Sequence, residues 1–508
     1  MVPRLMHGCK RQIARTAGRP VSLADADGLT SNGAMHPIPA YASVKTRVRA
    51  RPTTLCLVLG IAALVLAGIA CAQPAPFKSL RYDEDYGWLR DEASRDGAWA
   101  RLKHVPLAGG SAYLSLGGEL RERIEAWRNP DFGTGGVCRD DYLLQRLLLH
   151  ADLHVGRFRA FAQLGDHRQL FESAPSGSLD EDRLDFHQVF LDFDAALLDG
   201  EATLRLGRQE INLGSARLVS VRETPNVRRS FDAGHISWKG SGTSLDLLAG
   251  APVSPEPGTF DDSTSHNDLL WGAYLSRRQA GASRLGIDVY YLGFERDVAQ
   301  FDVGEASEHR HTLGTRLWGG YGRWDTDAEV MLQFGTFGGS DIRAWALSTS
   351  TGYRREDWSG RPRFGLKFDF ASGDGDPADD TLGTFNPLYP RAPYFNPLRL
   401  NSLANLINIQ PNLTFTPHPA VQVELNWGFL WRATVHDAFY TQPPSPLIPG
   451  DTSDGRYLGN QWSVDATWQV NRFLGLGAVL ARFDTGQFLQ DGGAEDPTYF
   501  ATWAQLRF

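Results

Sequence analysis

The sequence is poor in sulfur, because its 508 residues include only four cysteines and four methionines. Three of the cysteines, Cys9, Cys56 and Cys71, lie in the first 72 residues, so the rest of the chain is too poor in cysteine for a disulfide-dense scaffold or a cysteine zinc site. The chain also lacks the G-x-S-x-G, H-E-x-x-H, P-loop and Rossmann fingerprints. We therefore expect a protein that is not an enzyme and that has no organic cofactor.

Long apolar runs are also scarce. The run from Leu55 to Ala70 is shorter than the roughly 20 residues that a membrane-spanning helix needs. It follows a group of basic residues and precedes the small-residue site Ala70-Cys71-Ala72, which is the order of a cleavable secretion signal. We predict that residues 1–72 are a signal segment that is removed and that residues 73–110 form a polar and aromatic lead-in. A membrane anchor and a lipid-modified Cys71 are less favoured alternatives.

The chain also has no excess of positive charge. The chain has 51 basic and 59 acidic residues and a formal net charge of −8. Nine of the basic and two of the acidic residues lie in residues 1–72, so removal of this segment leaves 42 basic against 57 acidic residues. Such an acidic chain disfavours nucleic acid as a partner.

What the chain has in abundance is alternation of apolar and polar residues. Between Tyr113 and Trp127 the even positions are mostly apolar and the odd positions are often charged, and the opposite parity holds between Tyr142 and Val155. The pattern recurs from Arg363 to Phe370 and from Val421 to Trp427. A period of two is typical of a strand with one apolar and one polar face. We count about 18 such strands by this period.

A soluble β-sandwich and a transmembrane β-barrel would both explain the alternation. Strand length favours the barrel, because most strands reach the roughly 9–11 tilted residues that cross a bilayer. The last segment, Tyr499 to Phe508, also resembles the terminal strand that the barrel-assembly machinery recognises. We predict an all-β fold for residues 111–508: a transmembrane, antiparallel up-and-down β-barrel of about 18 strands in the bacterial outer membrane. It should have long extracellular loops and short periplasmic turns, with the lead-in on the periplasmic side.

The segment between residues 204 and 236 carries an ordered set of short motifs. These are Gly207-Arg208-Gln209, Gly214, Arg217-Leu218-Val219, Asn226, Arg229 and Phe231-Asp232. In this order they resemble the alginate-export family of outer-membrane β-barrels, and the resemblance extends over most of the chain after the lead-in. It implies a porin that passes an anionic polysaccharide by diffusion. The segments from Phe370 to Asp374 and from Phe385 to Pro390 and the pair Tyr394-Phe395 are also similar to the same region of this family, which implies a gating or plugging role for the loop between residues 373 and 402.

A path for an anionic polymer needs cationic side chains that are spread over many weak sites. Arginine suits this role because its planar guanidinium binds carboxylates through two hydrogen bonds and stays charged. By strand parity, the basic candidates for the pore lining are Arg121, Arg123, Arg146, Arg159, Arg205, Arg316, Arg363 and Lys367. The other interpretation is that about half of them form internal ion pairs. The carboxylates available for such pairs are Glu119, Glu125, Asp152, Asp192, Asp327, Glu329 and Asp369.

One loop concentrates four carboxylates, Asp374, Asp376, Asp379 and Asp380. Carboxylate oxygens are the ligands that Ca²⁺ prefers, so this loop is a weak Ca²⁺ candidate. The spacing lacks the glycine of an EF-hand, and a solvated acidic loop without metal is the favoured interpretation.

The sequence thus predicts a monomeric outer-membrane channel for an anionic polysaccharide or oligosaccharide. Its other partners would be membrane lipid, lipopolysaccharide and, during biogenesis, the barrel-assembly machinery. The alternative is a general or anion-selective porin for small solutes. An outer-membrane enzyme is the least favoured function.

Overall fold

The computed structural model describes residues 77–171, 177, 179–279, 284–442 and 444–508. The predicted signal segment, residues 1–72, lies outside these residues. Within them, no helix has the length and apolar character needed to cross a membrane.

The described chain begins within the predicted lead-in. From here on the name lead-in means residues 77–111, the described part of the chain before the first long strand. It contains 3₁₀ turns at Arg81–Asp83, Gly87–Arg90, Glu92–Ser94 and Ala108–Gly110, the helix α1 (Gly97–Lys103) and the short strand Val105–Leu107. This strand pairs antiparallel with the start of the first long strand, with Val105 opposite Leu114. The lead-in therefore joins the sheet only at its last few residues.

In the described part of the chain, eighteen long strands follow, and each pairs antiparallel with the next. They are β1 (Ala112–Arg128), β2 (Arg139–Val155), β3 (Phe158–Leu170), β4 (Asp182–Leu197), β5 (Gly200–Gln209), β6 (Phe231–Gly240), β7 (Thr243–Ser254), β8 (Asp268–Arg278), β9 (Gly286–Phe301), β10 (Gly304–Tyr321), β11 (Trp324–Phe337), β12 (Ser340–Arg354), β13 (Arg363–Ala371), β14 (Leu406–His418), β15 (Val421–Trp431), β16 (Tyr457–Gln469), β17 (Leu474–Thr485) and β18 (Thr498–Arg507). Strand β18 pairs back with β1, with Leu506 opposite Leu120. The sheet is therefore a closed barrel without a free edge, as predicted.

The side chains on the two faces of this sheet follow the alternation of the sequence. Ile124, Leu332 and Leu366 are about half exposed on the outer face, whereas Glu119 and Asp152 are buried on the inner face. A soluble sandwich would bury its apolar face, so this arrangement is that of a barrel in lipid.

The two ends of the barrel differ. At one end, which we call the short-turn end, most strands are joined by a few residues, and exposed aromatic side chains such as Tyr321, Trp324 and Trp468 lie near the strand ends. Aromatic residues in this position form interfacial girdles in membrane proteins. The other end, the long-loop end, carries most of the long connections, but β9–β10 and β11–β12 are joined there by only two residues.

Two long connections at the long-loop end, residues 372–405 and 432–456, pack on each other, and we call them the cap loops. They contain the short strands Thr381–Leu382, Phe439–Thr441 and Ser445–Ile448 and the 3₁₀ turn Gly450–Thr452. Neighbouring loops add the 3₁₀ turn Pro130–Gly133 and the helix α2 (Gln487–Asp491). Their fully buried apolar side chains form a core at this end of the barrel, and its members include Phe132, Phe385, Leu388, Leu398, Phe439 and Phe488.

The presence of glycine at position 207 in β5 has a local structural reason. Its φ of 129° lies in the region that favours glycine, and a Cβ atom there would lie 2.4 Å from the carbonyl oxygen of Val189 on β4. The glycine thus allows β5 to approach β4 closely just before the chain turns into the lumen. This close approach accounts for the first residue of the motif found in the sequence.

Candidate functional site

The segment between β5 and β6, residues 210–230, folds into the barrel, and we call it the constriction loop. Arg121 of β1 donates to the carbonyl oxygens of Glu223 (3.1 Å) and Pro225 (3.2 Å). Arg146 of β2 donates to the Glu223 carboxylate at 2.6 Å. Asn226 donates to the carbonyl oxygen of Gln145 at 2.9 Å. One side of the barrel wall therefore holds the tip of this loop.

Arg217 ties the same loop to the other side of the barrel. Its guanidinium contacts the Glu329 carboxylate and lies 3.2 Å from a carboxylate oxygen of Asp327, both on β11. It also donates to the Tyr394 hydroxyl of the cap loops at 2.8 Å. Burial alone would lower the pKa of Arg217, but these neighbours outweigh it and raise the pKa well above its usual range. Arg217 therefore stays charged where the constriction loop meets the wall.

A cavity of about 560 Å³ lies beside this junction, and we call it the cationic cavity. Six cationic side chains and three carboxylates line it. The cations are Arg217, Arg354, Arg361, Arg363, Lys367 and Arg391, and the carboxylates are Asp327, Glu424 and Asp465. Three of the six are paired with carboxylates behind the lining, Arg217 with Glu329, and Arg354 and Arg363 with Asp325. The cations that stay free of such pairs in the described structure make this part of the lumen suited to anions.

Two smaller cavities adjoin the cationic cavity, which itself reaches the short-turn end at Arg361. One, of about 270 Å³, shares Pro393, Pro397 and Asp465 with it and is also lined by Arg121, Arg123 and Arg507. The next, of about 490 Å³, shares Gln505 and Arg507 with the second and reaches the turn between β16 and β17. The three cavities are therefore neighbours that share lining residues, and together they span the short-turn end and the middle of the barrel.

A separate cavity of about 600 Å³ has the opposite charge. Its lining carries seven carboxylates, Asp83, Glu84, Asp85, Asp192, Asp194, Glu201 and Asp246, against three cations, Arg159, Arg205 and Lys239. The lead-in contributes three of these carboxylates. The lumen is therefore divided into a cationic side and an acidic side.

The eight basic residues predicted from strand parity lie at several different places. Arg121 and Arg123 line the 270 Å³ cavity, Arg363 and Lys367 the cationic cavity, Arg159 and Arg205 the acidic cavity, Arg316 a further cavity of about 320 Å³, and Arg146 is fully buried. The structure thus brings together two pairs of the eight in neighbouring cavities, and it separates the others from them.

Six of these eight residues have carboxylate partners. The pairs are Arg123–Glu125, Arg146–Glu119, Arg159–Asp152, Arg205–Asp192, Arg316–Asp327 and Arg363–Asp325. Arg121 and Lys367 instead donate to backbone carbonyl oxygens of the inward-folded loops. Internal pairing therefore applies to more of the predicted residues than the half expected from the sequence.

The most available cations of the cationic cavity were not found by strand parity. Arg391 in a cap loop and Arg361 in the turn between β12 and β13 are both exposed to the cavity. Within the part of the chain that the structure describes, neither guanidinium lies within ion-pair distance of a carboxylate. Both residues stand in irregular segments, where no period predicts the direction of a side chain. Arg507, in contrast, lies on the inner face of β18, where it pairs with Glu119, and could have been found by parity.

The remaining motif residues hold the constriction loop and its flanking strands. Arg208 donates to both carboxylate oxygens of Asp232 at 3.0 and 3.2 Å, and Gln209 donates to the carbonyl oxygen of Ala233 at 2.9 Å. The Arg229 guanidinium lies 4.9 Å from the centre of the Tyr389 ring, and Phe231 packs edge-on against the same ring. The motif therefore has a structural role in positioning the loop.

The four carboxylates of the predicted Ca²⁺ loop mostly serve the local backbone. Asp374, Asp376 and Asp379 each accept a hydrogen bond from a backbone N–H two residues further on. Among the described residues, a compact carboxylate group of metal-binding size occurs instead at Asp185, Asp261 and Asp262 on the long-loop rim. Ca²⁺ binding at Asp374–Asp380 stays a prediction.

Comparison with known proteins adds family and fold. Residues 112–502 match the model of a family described as "Alginate export". No curated protein matches the sequence. Similar solved structures include OccAB4 of Acinetobacter baumannii, with a TM-score of 0.53 and 9% identity over 77% of this chain and 98% of that one. A BenF-like porin from Pseudomonas fluorescens Pf-5 has a TM-score of 0.52 and 10% identity over 78% of this chain and 99% of that one. OccK11 of Pseudomonas aeruginosa is another, with a TM-score of 0.51 and 14% identity over 78% of this chain and 96% of that one. At these identities the likeness shows the outer-membrane porin fold.

Proposed function

The chain belongs to the alginate export family, and from this premise we propose that it passes an anionic polysaccharide through the outer membrane by diffusion. The observation that carries the proposal is the set of neighbouring cavities that share lining residues and are rich in arginine. Carboxylates along a polyuronate chain would meet these cations one after another. Arg391 and Arg361, which are not paired with a carboxylate in the described structure, would bind them without breaking an ion pair. No reaction is required of the protein.

The orientation and the assembly state belong to the same proposal. Long loops face outward and short turns face the periplasm in barrels of this kind, so the lead-in would lie on the periplasmic side. The barrel closes within one chain through β1 and β18, so a single chain can form a pore, and we propose that it acts as a monomer. Its outer face would contact lipid and lipopolysaccharide, and β18 would serve as the strand that the barrel-assembly machinery recognises.

A second candidate function is passage of small anionic solutes. It is favoured by cavity size, since spaces of about 270 to 560 Å³ are those of a small ligand rather than of a polymer. Polymer passage would require the cap loops or the constriction loop to move aside.

Current block in a planar bilayer separates the two candidates. Oligomers of mannuronate and guluronate added to one side should interrupt the current more strongly as their length grows, because a longer chain contacts more cations at once. Neutral maltooligosaccharides of matched length are the control and should block little. Block by a single uronate without any increase with length would favour the small-solute channel. Equal block by neutral and acidic oligomers would contradict both candidates.

A further inference from the structure

The lead-in enters the barrel with the side chain of Tyr82. This ring is buried and packs edge-on against Phe161 of β3 and Phe190 of β4, with ring centres 6.2 and 5.5 Å apart. The Arg205 guanidinium lies 3.9 Å from the centre of the Tyr82 ring, and Arg159 donates to the Tyr82 carbonyl oxygen at 2.6 Å. The Tyr82 ring is thus held in the lumen by two aromatic rings and a cation, and it fills space that a solute would otherwise use.

The same segment contacts the constriction loop directly. The Tyr82 hydroxyl donates to the carbonyl oxygen of Glu210 at 2.6 Å, and Glu210 is the first residue of that loop. Arg228, near the other end of the loop, donates to the carbonyl oxygen of Ser79 at 3.0 Å and to the Glu210 carboxylate at 2.9 Å. The lead-in therefore holds both ends of the segment that narrows the pore.

The lead-in is attached to the barrel mainly by contacts that can break and form again. Outside its last strand, it is joined to the wall and the loops mainly by side chains such as Arg81, which donates to the carbonyl oxygens of Gly118 and Phe508 at 3.0 Å each. The Lys103 ammonium donates to the same Phe508 oxygen at 3.1 Å. In the described structure, the hydrogen bonds that residues 80–104 make between backbone groups stay within the lead-in. Its withdrawal would leave the strand ladder of the barrel intact.

We propose that the lead-in is a periplasmic gate: docked, it fixes both ends of the constriction loop, and withdrawn, it releases these ends. The loop, still held to the wall by Arg146 and Arg217, can then shift and widen the path past the cationic cavity. This regulation rests on the proposed channel function. The acidic cavity, whose wall includes Asp83, Glu84 and Asp85 of the lead-in, opens to the periplasm when the gate withdraws.

The test uses Tyr82→Phe, which removes only the hydroxyl that binds Glu210, and the double variant Arg81→Ala/Tyr82→Ala. The double variant also removes the packing of the Tyr82 ring and the Arg81 contacts with Gly118 and Phe508. Trp88→Ala is the matched control, because Trp88 is an exposed aromatic residue of the same segment. Hydrogen exchange of the amides between residues 219 and 229 is measured beside single-channel conductance, on barrels whose heat-modifiable mobility shows that they are folded.

We expect loop exchange about tenfold faster in Tyr82→Phe, as for the loss of one buried hydrogen bond. The double variant should show a larger increase and a higher conductance, and Trp88→Ala should match the wild type. Loop exchange at the wild-type rate in a double variant whose lead-in amides exchange freely would overturn the proposal, and so would a lead-in that stays protected in that variant. Exchange does not depend on ion selectivity, so a channel without anion preference would contradict the proposed function and leave this test intact.

Discussion

The guanidinium of Arg146 lies 2.6 Å from a carboxylate oxygen of Glu223 and so connects the barrel wall to the constriction loop. Arg146 is fully buried and also binds Glu119 at 2.9 Å. Strand parity predicted Arg146 as a residue of the substrate path. Its position shows instead that an inward arginine can set the shape of the pore without facing the solute.

Replacement of Arg146 by leucine should loosen the constriction loop. We expect a loss of about 3 kcal/mol, at the lower end of the cost of breaking a buried ion pair, because Arg507 still binds Glu119 at 2.9 Å. Chemical unfolding followed by heat-modifiable mobility measures this loss, and single-channel records should show a more variable conductance. Arg343→Leu, on the exposed outer face of β12, is the control. Equal stability of the two variants would mean that the Arg146 contacts do not hold the loop.

Gly207→Ala should lower the yield of folded barrel. The added methyl group would lie 2.4 Å from the Val189 carbonyl oxygen, and the backbone at this position has a φ of 129°. Gly234→Ala on β6 is the matched control, because its methyl group would meet only the Leu206 side chain at 3.5 Å. The fraction of heat-modifiable protein in outer membranes measures both. Normal yield of Gly207→Ala would show that β5 can move away from β4 at little cost.

The contact between the cap loops should depend on pH through Asp437. Its carboxylate accepts hydrogen bonds from the Asp374 backbone N–H at 2.8 Å and from the Thr384 hydroxyl at 2.6 Å. Burial raises the pKa of Asp437 from 3.8 to about 6. The docked state therefore binds the proton more tightly than the open state, so docking loses stability as the pH rises from 3.8 to 6 and then stays constant. Burial also raises the pKa of nearby Asp302, which adds an effect of the same sign.

Hydrogen exchange of the Asp374 amide measures this effect. After correction for the intrinsic rate, exchange should be faster at pH 7 than at pH 5 in the wild type, and Asp437→Asn should show a smaller difference. An equal difference in both proteins would assign the pH dependence to groups other than Asp437.

The barrel itself could be predicted from the sequence because a strand has a period of two and lipid demands an apolar outer face. The faces of β1 and β2, with Glu119 and Arg146 inside and Ile124 and Leu149 outside, follow directly from this period. Closure through β18 also follows, because the backbone groups of a terminal strand in a bilayer must form hydrogen bonds with another strand.

The inward-folded loops could not be predicted in the same way. Arg217 meets Glu329 across 112 positions of the chain, and Tyr82 meets Glu210 across 128. Contacts of this kind depend on the three-dimensional path of irregular segments, which have no period. The motif around Gly207 marked the constriction loop by its resemblance to a family, but strand parity alone could not show that Arg391 faces the cavity.

The central claim, that the cationic cavity carries anions, is tested most directly by the reversal potential of the barrel in a KCl gradient. The comparison is between the wild type, the double variant Arg361→Glu/Arg391→Glu and the control Arg343→Glu, which makes the same substitution once on the outer face. We predict anion preference in the wild type and in the control, and a weakened or inverted preference in the double variant. The difference should shrink near 1 M salt, where the Debye length is about 3 Å. A cation-selective wild type, or a folded double variant with the wild-type reversal potential, would contradict the claim.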